Sequence, residues 1–300
     1  ETLLVTVDGF RAFTDDPWLV GRVAALNAAS DVYAKGGQPR HALALVTVPE
    51  GEPRQAEETL YQTLAGVRAG LDALGVSLVG GHSTLGPELF VGLAVTGDVH
   101  GRPLPMTGAQ VGDALVLTKP LGTGVILAAD RLGRATGRWR AAALASMLRA
   151  NAEAAALARQ HGAHACTDVS GFGFVGHLRN LLAGGPVAAE VAFDAVPALP
   201  GACALLAMGL RSTFHAQNSA VLSELARQPD HENADRLALL CDPQTSGGLL
   251  VALDASGARA FVAALRTAGD VSAAIVGRMV ARRPGDAWLR LLPPGKPLAE

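Results

Sequence analysis

The segment Gly21–Gly37, G-R-V-A-A-L-N-A-A-S-D-V-Y-A-K-G-G, decides how the first part of the chain is read. Its alanines and leucine favour helix, and Gly36-Gly37 followed by Pro39 supplies a stop. Just upstream, Asp15-Asp16-Pro17 reads as a helix start, an Asp cap with proline at the first helical position. Asn27 and Asp31 stand four residues apart, so both project from one helical face, one turn apart. Their neighbours Ala24, Ala25, Ala28, Ala29 and Ser30 are small. Such a helix can press against other backbone while carrying an amide and a carboxylate into the contact. The pair suits a metal-bound phosphate; taken alone, it equally suits a buried helix whose Asp31 makes a cap or an ion pair.

Working outward, Leu3–Val7 reads as a buried strand delivering Asp8 and Gly9 to its C-terminal end, a position used both by ligand sites and by turns. His41–Val48 is a second strand, and Glu57–Leu74 places Leu60, Leu64, Val67, Leu71 and Leu74 at helical spacing. Val76–Val79 is a short strand ending in a turn, Gly80-Gly81-His82-Ser83-Thr84, whose backbone and hydroxyl donors can meet an anion. Phe90–Val99 is the next strand. Around Leu104–Gly112 the composition shifts to Pro, Gly and polar residues, which places a boundary between domains 1–108 and 109–300. The first domain then has about four strongly apolar strands and two long helices. Its sheet is expected to be covered on one face by helices and on the other by a second subunit.

The second domain opens with a strand, Asp113–Thr118, and a helix, Val125–Leu132. The intervening K-P-L-G-T-G of Lys119–Gly124 is no P-loop, because the lysine precedes the glycines. Ala141–Gln160 reads as one alanine-rich helix. Ala165–Leu178 reads as a short strand, a turn carrying Asp168, and the glycine-rich start of a helix whose free N–H groups could face phosphate. His164 and His177 are either ligands or structural hydrogen-bonders. Val187–Phe193 is a strand, residues 195–235 mix short helices with Pro and Gly, and Cys241–Gly248 is a polar turn before the strand Leu249–Leu253. A helix, Gly257–Ala268, a strand, Ser272–Gly277, and a peripheral Pro-rich tail past Arg282 complete the chain.

The bulk numbers bound the function. Hydrophobic residues make up 49% of the 300 and aromatics only 4%, so the core is built from Ala, Leu and Val. A net charge of −2 gives no electrostatic case for nucleic acid or an anionic membrane, and no apolar run is long enough to span a bilayer. Cys166, Cys203 and Cys241 are odd in number and far apart, unlike a disulfide framework or a zinc site. These bounds favour a soluble, cytoplasmic α/β enzyme or binding domain. Three acids, Asp8, Asp31 and Asp168, sit beside glycine-rich segments, which suits divalent ions holding polyphosphate.

The ordered set of motifs goes further. V-T-V-D (Val5–Asp8), D-D-P (Asp15–Pro17), the Gly21–Gly37 segment, G-G-H-S (Gly80–Ser83), G-L-A-V-T-G (Gly92–Gly97) and L-T-K-P-L-G-T-G (Leu117–Gly124) come first. C-T-D-V-S-G-F-G-F-V-G-H-L (Cys166–Leu178) and D-P-Q-T-S-G-G-L-L (Asp242–Leu250) follow. Together they resemble selenide, water dikinase (selenophosphate synthetase) over nearly the whole chain, the last two being the most specific. F-R-A-F (Phe10–Phe13) and G-R-W-R (Gly137–Arg140) resemble the variant fused behind a pyridine-nucleotide-disulfide oxidoreductase domain, and the start at Glu1-Thr2 reads as cut from something longer.

The resemblance implies an α/β (α+β), aminoimidazole-ribotide-synthetase-like two-domain fold whose N-terminal domain forms a dimeric β-barrel. It implies a reaction of ATP, selenide and water giving selenophosphate, AMP and phosphate, with Mg2+, in a homodimer. By motif position Asp8 contacts ATP, Asp31 contacts ATP and metal, and Asp168 ligates metal. Gly81, His82 and Ser83 contact nucleotide, and Asn27 contacts phosphate or supports a group that does. The family's reactive Cys or selenocysteine, its catalytic Lys and a further metal-binding Asp belong to an N-terminal segment absent from this sequence, so no catalytic residue is assigned and the isolated chain is expected to be inactive. Gly9 stands where the family usually has an aromatic residue, and Lys35 where it has Met. Two alternatives remain open: a sister ATP-using enzyme of the same fold (aminoimidazole ribotide synthetase, thiamine-monophosphate kinase or a hydrogenase-maturation type), or a non-catalytic nucleotide-binding domain of a fusion protein.

Overall fold

The computed structural model describes residues 2–224, 234–292 and 295. The chain divides into two compact units, Glu1–Pro103 with Met147–Ala150, and Leu104–Ser146 with Asn151–Glu300.

The first unit holds β1 (Thr2–Arg11), α1 (Pro17–Ala34), β2 (Gln38–Pro49), α2 (Pro53–Ala73), β3 (Ser77–Gly86) and β4 (Phe90–Val99). Its sheet has the order β1-β4-β2-β3, with β2 and β3 parallel and the other neighbours antiparallel. Asp16 caps α1, its side chain accepting the Leu19 N–H, and Pro17 opens the first turn. The alanine-coated helix does press on other backbone. A Cβ at Gly21 would lie 2.0 Å from the Thr63 carbonyl oxygen, and one at Gly66 would lie 1.9 Å from that of Trp18. Only glycine at these crossing points lets α1 and α2 approach so closely.

Alternation along β1 and β2 sends Ala42, Ala44, Val46 and Val48 into the helix layer and leaves Leu3, Val5, Val7, Leu43 and Leu45 on an open face. Val7 is 78% exposed. Two expectations are corrected here. Asp8 is not at the end of its strand, because pairing with β4 continues through Gly9↔Gly92 to Arg11↔Phe90. Gly80–Thr84 is not a turn, because β3 runs through it in register with β2, and a register shift at Ala42/Leu43 absorbs the irregularity. Gly81 is required in that strand, since a Cβ there would sit 2.1 Å from the Ala44 carbonyl oxygen.

The second unit contains β5 (Asp113–Leu117), α3 (Thr123–Arg131), α4 (Gly137–Met147), α5 (Ala152–Gln160), β6 (Ala165–Asp168), α6 (Gly173–Leu181) and β7 (Val187–Ala192). It continues with α7 (Ala202–Ala207), α8 (His215–Ser219), α9 (Ala234–Cys241), β8 (Leu249–Asp254), α10 (Ala255–Thr267), β9 (Ala274–Ala281) and β10 (Leu289–Leu292). Its sheet runs β10-β7-β9-β5-β8-β6, parallel only at β10–β7. Leu115, Leu117, Val191, Leu250, Phe174 and Leu178 are among the residues of one continuous apolar core.

The single helix expected at Ala141–Gln160 is two, α4 and α5. The chain breaks before Asn151, whose buried amide donates to the Gly247 carbonyl instead of capping α5. The tail past Arg282 is not peripheral either. Trp288 is buried, its carbonyl accepts the Ala189 N–H, and Leu289–Leu292 adds an edge strand to β7.

Candidate functional site

On β1, Thr6 and Asp8 are two residues apart and share the face toward α1. Thr6 Oγ1 donates to Asp31 Oδ2 at 2.6 Å, and Asn27 Nδ2 donates to Asp8 Oδ2. Two strand residues advance roughly 6.8 Å and one helical turn roughly 6 Å, so the strand and the antiparallel-running helix meet in two rungs without distortion. The rungs bring Asp8, Asn27 and Asp31 together. The Asp8 Oδ1 atom accepts its neighbour's N–H, Gly9 N, at 2.7 Å. Burial holds the Asp8 carboxyl above the usual carboxylate range, and the nearby Asp31 charge adds to that rise, while the Gly9 N–H and the Asn27 amide pull it back. Among the described residues neither acid has an ion-pair partner, and two acids crowded this way form a hard-oxygen donor set. That donor set fits a divalent cation.

An open groove of about 530 Å³ is lined by Asp8, Gly81, His82, Leu45, Phe90 and Gly92, among others. It gathers Asp8 with two of the three predicted β3 residues. His82 lies in register with Leu45 and Ser83 with Val46, so successive residues of β3 serve opposite faces. Ser83 lines a second groove of about 490 Å³ with Gly81, His82, Leu60 and Leu64. Because β3 is an edge strand, it offers backbone groups along one side in place of the turn expected from the sequence.

Asp168 belongs to the second unit, at the end of β6 opposite Leu249. The turn that follows it is tied to the segment preceding β8. Val169 N donates to the Gly248 carbonyl at 2.8 Å, and Gln244 N donates to the Ser170 carbonyl at 3.0 Å. Asn218 Nδ2 bridges the carbonyls of Gly171 (2.9 Å) and Cys241 (3.0 Å). His177 Nε2 accepts the Ser170 N–H at 3.0 Å. Burial pushes the His177 imidazole down to about 4, so the ring is neutral near pH 7. His164 instead places Nδ1 2.9 Å from Asp113 Oδ1. Both histidines therefore have hydrogen-bonding roles.

The polar stretch Cys241–Gly248 lies in the interior: Asp242, Gln244 and Ser246 are buried. Gln244 Oε1 accepts from Gly122 N (3.0 Å), Thr123 N (3.2 Å) and Thr123 Oγ1 (3.1 Å), and Asp242 Oδ2 accepts from Val125 N (3.1 Å). These side chains occupy the first N–H groups of α3, so the K-P-L-G-T-G segment has no free N-terminus there to offer a phosphate. Burial pushes the Asp242 carboxyl up to about 7. Lys119, also buried, donates through Nζ to the Ser246 carbonyl at 3.0 Å. Sequence reading overlooked Thr6, although its place two residues before Asp8 on one strand face was a readable signal. It overlooked Gln244 because no local pattern marks a polar residue as buried.

Two domain models account for most of the chain: the AIR synthase related protein N-terminal domain over residues 1–99 and its C-terminal domain over 110–289. The protein is thus a two-domain AIR-synthase-related protein of mixed α/β architecture. The selenide, water dikinase of Burkholderia pseudomallei (strain K96243) is 41% identical over 281 residues, covering 93% of this chain and 79% of that relative. That of Shewanella sp. (strain W3-18-1) is 38% identical over 279 residues, covering 92% and 77%. The chain belongs to the selenide, water dikinase family. Among solved structures, the hydrogenase maturation protein HypE of E. coli matches with a TM-score of 0.74 at 19% identity, over 98% of this chain and 83% of that one. Thiamine-monophosphate kinase from Stenotrophomonas maltophilia K279a matches at 0.72 with 21% identity, over 97% and 85%. These two share the fold.

Proposed function

We propose that this chain is the ATP- and Mg2+-binding body of a selenophosphate-forming enzyme, serving the conversion of ATP, selenide and water to selenophosphate, AMP and phosphate. The observation that carries the reading is the 41% identity to a selenide, water dikinase across 93% of the chain. The paired rungs Thr6–Asp31 and Asn27–Asp8 support it, since they bring together two carboxylates and an amide, a donor set that suits a metal-bound polyphosphate. One solved HypE structure of the same fold is a complex with ATP.

In this reading Asp31 and Asp168 are metal ligands, each within its own unit, and Asp8 contacts the nucleotide. Asn27 fixes the Asp8 carboxylate, and Gly81, His82 and Ser83 offer edge-strand contacts to the nucleotide. Bound Mg2+ neutralises phosphate charge and stabilises the charge that shifts during phosphoryl transfer. Among the described residues no three His, Cys, Asp or Glu side chains form a metal cluster. Titration calorimetry of ATP with and without Mg2+ tests the assignment. Wild-type protein is expected to bind ATP in an Mg2+-dependent manner and Asp31→Ala to lose that dependence; tight Mg2+-dependent binding by the variant sinks it.

The open apolar face of Leu3, Val5, Val7, Leu43 and Leu45 supports pairing with a second copy that closes a barrel over it. A cytoplasmic setting fits cysteine usage that builds no disulfide framework. Among the described residues no helix is long and apolar enough to cross a membrane.

A further inference from the structure

We infer that His177 is a positioning residue for Asp168, holding the turn that carries it by accepting the Ser170 backbone N–H on Nε2. The inference rests on the reading of Asp168 as a metal ligand and adds to it the residue that fixes the ligand's approach. Asp168 is the last residue of β6, and beyond it the chain leaves the sheet for a turn ending at Gly173, where α6 begins with φ +67°. A carboxylate at a strand end is only as well placed as the turn behind it. Ser170 is the middle of that turn. Its carbonyl takes two backbone donors, Gly173 N and Gln244 N, both at 3.0 Å, and its N–H goes to His177.

His177 lies at the start of the second turn of α6, buried and facing back under the preceding turn, with the Phe172 ring 5.7 Å from its own. An imidazole that accepts a backbone N–H on Nε2 must carry its proton on Nδ1, and the neutral state that burial enforces keeps that acceptor available. Ser170 Oγ, 3.2 Å from the same nitrogen, can share it. An apolar residue at 177 would leave the Ser170 N–H without its acceptor and loosen the turn behind Asp168, although the Val169–Gly248 and Gln244–Ser170 bonds would remain.

The test uses ATP binding read against Mg2+ concentration, together with amide hydrogen exchange at Ser170. His177→Leu is expected to raise the Mg2+ half-saturation point about tenfold, with ATP affinity at saturating Mg2+ little changed, and to speed Ser170 exchange. His177→Gln, whose Oε1 can accept the same N–H, is expected to restore both. A His177→Leu protein with wild-type half-saturation overturns the inference, as does a folded His177→Gln protein that behaves like His177→Leu. If His177→Leu does not fold, exchange in His177→Gln decides: wild-type protection of Ser170 supports the role and its loss overturns it. Asp168→Asn keeps the two readings apart. Unchanged Mg2+ dependence there overturns the metal assignment itself, whereas loss there beside wild-type behaviour of His177→Leu overturns only the positioning role.

Discussion

Gly66→Ala sets two physical effects of opposite sign against each other. Gly66 lies within α2, where alanine is the better helix former by about 1 kcal/mol, so propensity alone predicts a gain. The geometry predicts a loss. The added Cβ would stand 1.9 Å from the Trp18 carbonyl oxygen and 2.7 Å from its carbon, while Arg22 N lies only 3.0 Å away. These are backbone atoms of a buried helix, so no rotamer can make room, and the two helices must part by more than 1 Å. Overpacking typically costs about 1–3 kcal/mol, and a clash with rigid backbone belongs at the upper end. The net is a loss of about 2 kcal/mol, which speeds exchange of the α1 and α2 amides about 30-fold in hydrogen-exchange mass spectrometry. Gly257→Ala is the matched control: it lies in α10, and a Cβ there meets nothing within 4 Å. That substitution should stabilise by about 0.5–1 kcal/mol. Unchanged or slower α1 exchange in Gly66→Ala would refute the close-packing argument.

Asp242→Asn should stabilise the second unit in a pH-dependent way. Burial pushes the folded carboxyl up to about 7 from its ordinary 3.8, so folding of the wild type weakens as pH rises between those values. The variant's advantage should therefore grow by a few kcal/mol from pH 4 to pH 8 in thermal unfolding, and a flat difference would count against it. His177 acts with the opposite sign: its stability contribution is present above pH 6.5 and is lost as pH falls toward 4, so His177→Gln should flatten acid unfolding in that window. Gln244→Ala strands the buried N–H groups of Gly122 and Thr123, and a loss of about 3 kcal/mol is expected in urea unfolding. Val5→Asp, at a residue 67% exposed in the single chain, should leave monomer stability within about 0.5 kcal/mol yet abolish self-association in sedimentation velocity. A dimer that survives the charge excludes this face as the contact.

Much of the fold was legible because the signals were local. Asp16-Pro17 announced the start of α1. Phe90–Val99 was bounded correctly by its own apolar run. The misses came where a distant partner overrode the local signal. Gly80-Gly81 looks like a turn until the Ala44 carbonyl that excludes a side chain there is known. The alanine run past Ala141 looks like one helix until Gly247 takes the Asn151 amide. Within the candidate site, the one-turn spacing of Asn27 and Asp31 was visible in the sequence. Their hydrogen-bond partners on β1 were not, because strand-to-helix register is a tertiary quantity. The two most specific motifs, at Cys166–Leu178 and Asp242–Leu250, could be recognised as wording, but not as two halves of one interlocked structure.

That interlock also bears on the order in which the protein can mature. The Ser170 carbonyl waits for Gln244, the Val169 N–H for Gly248, and the Gly171 carbonyl for Asn218. As the chain emerges from the ribosome, β6 and its turn are made long before the segment that clamps them. Closing so long a loop is entropically slow, so the Asp168 turn should be among the last parts of the second unit to reach native geometry. Pulse-labelled exchange during refolding would see this as late protection at Val169, well after the amides of α6 have closed.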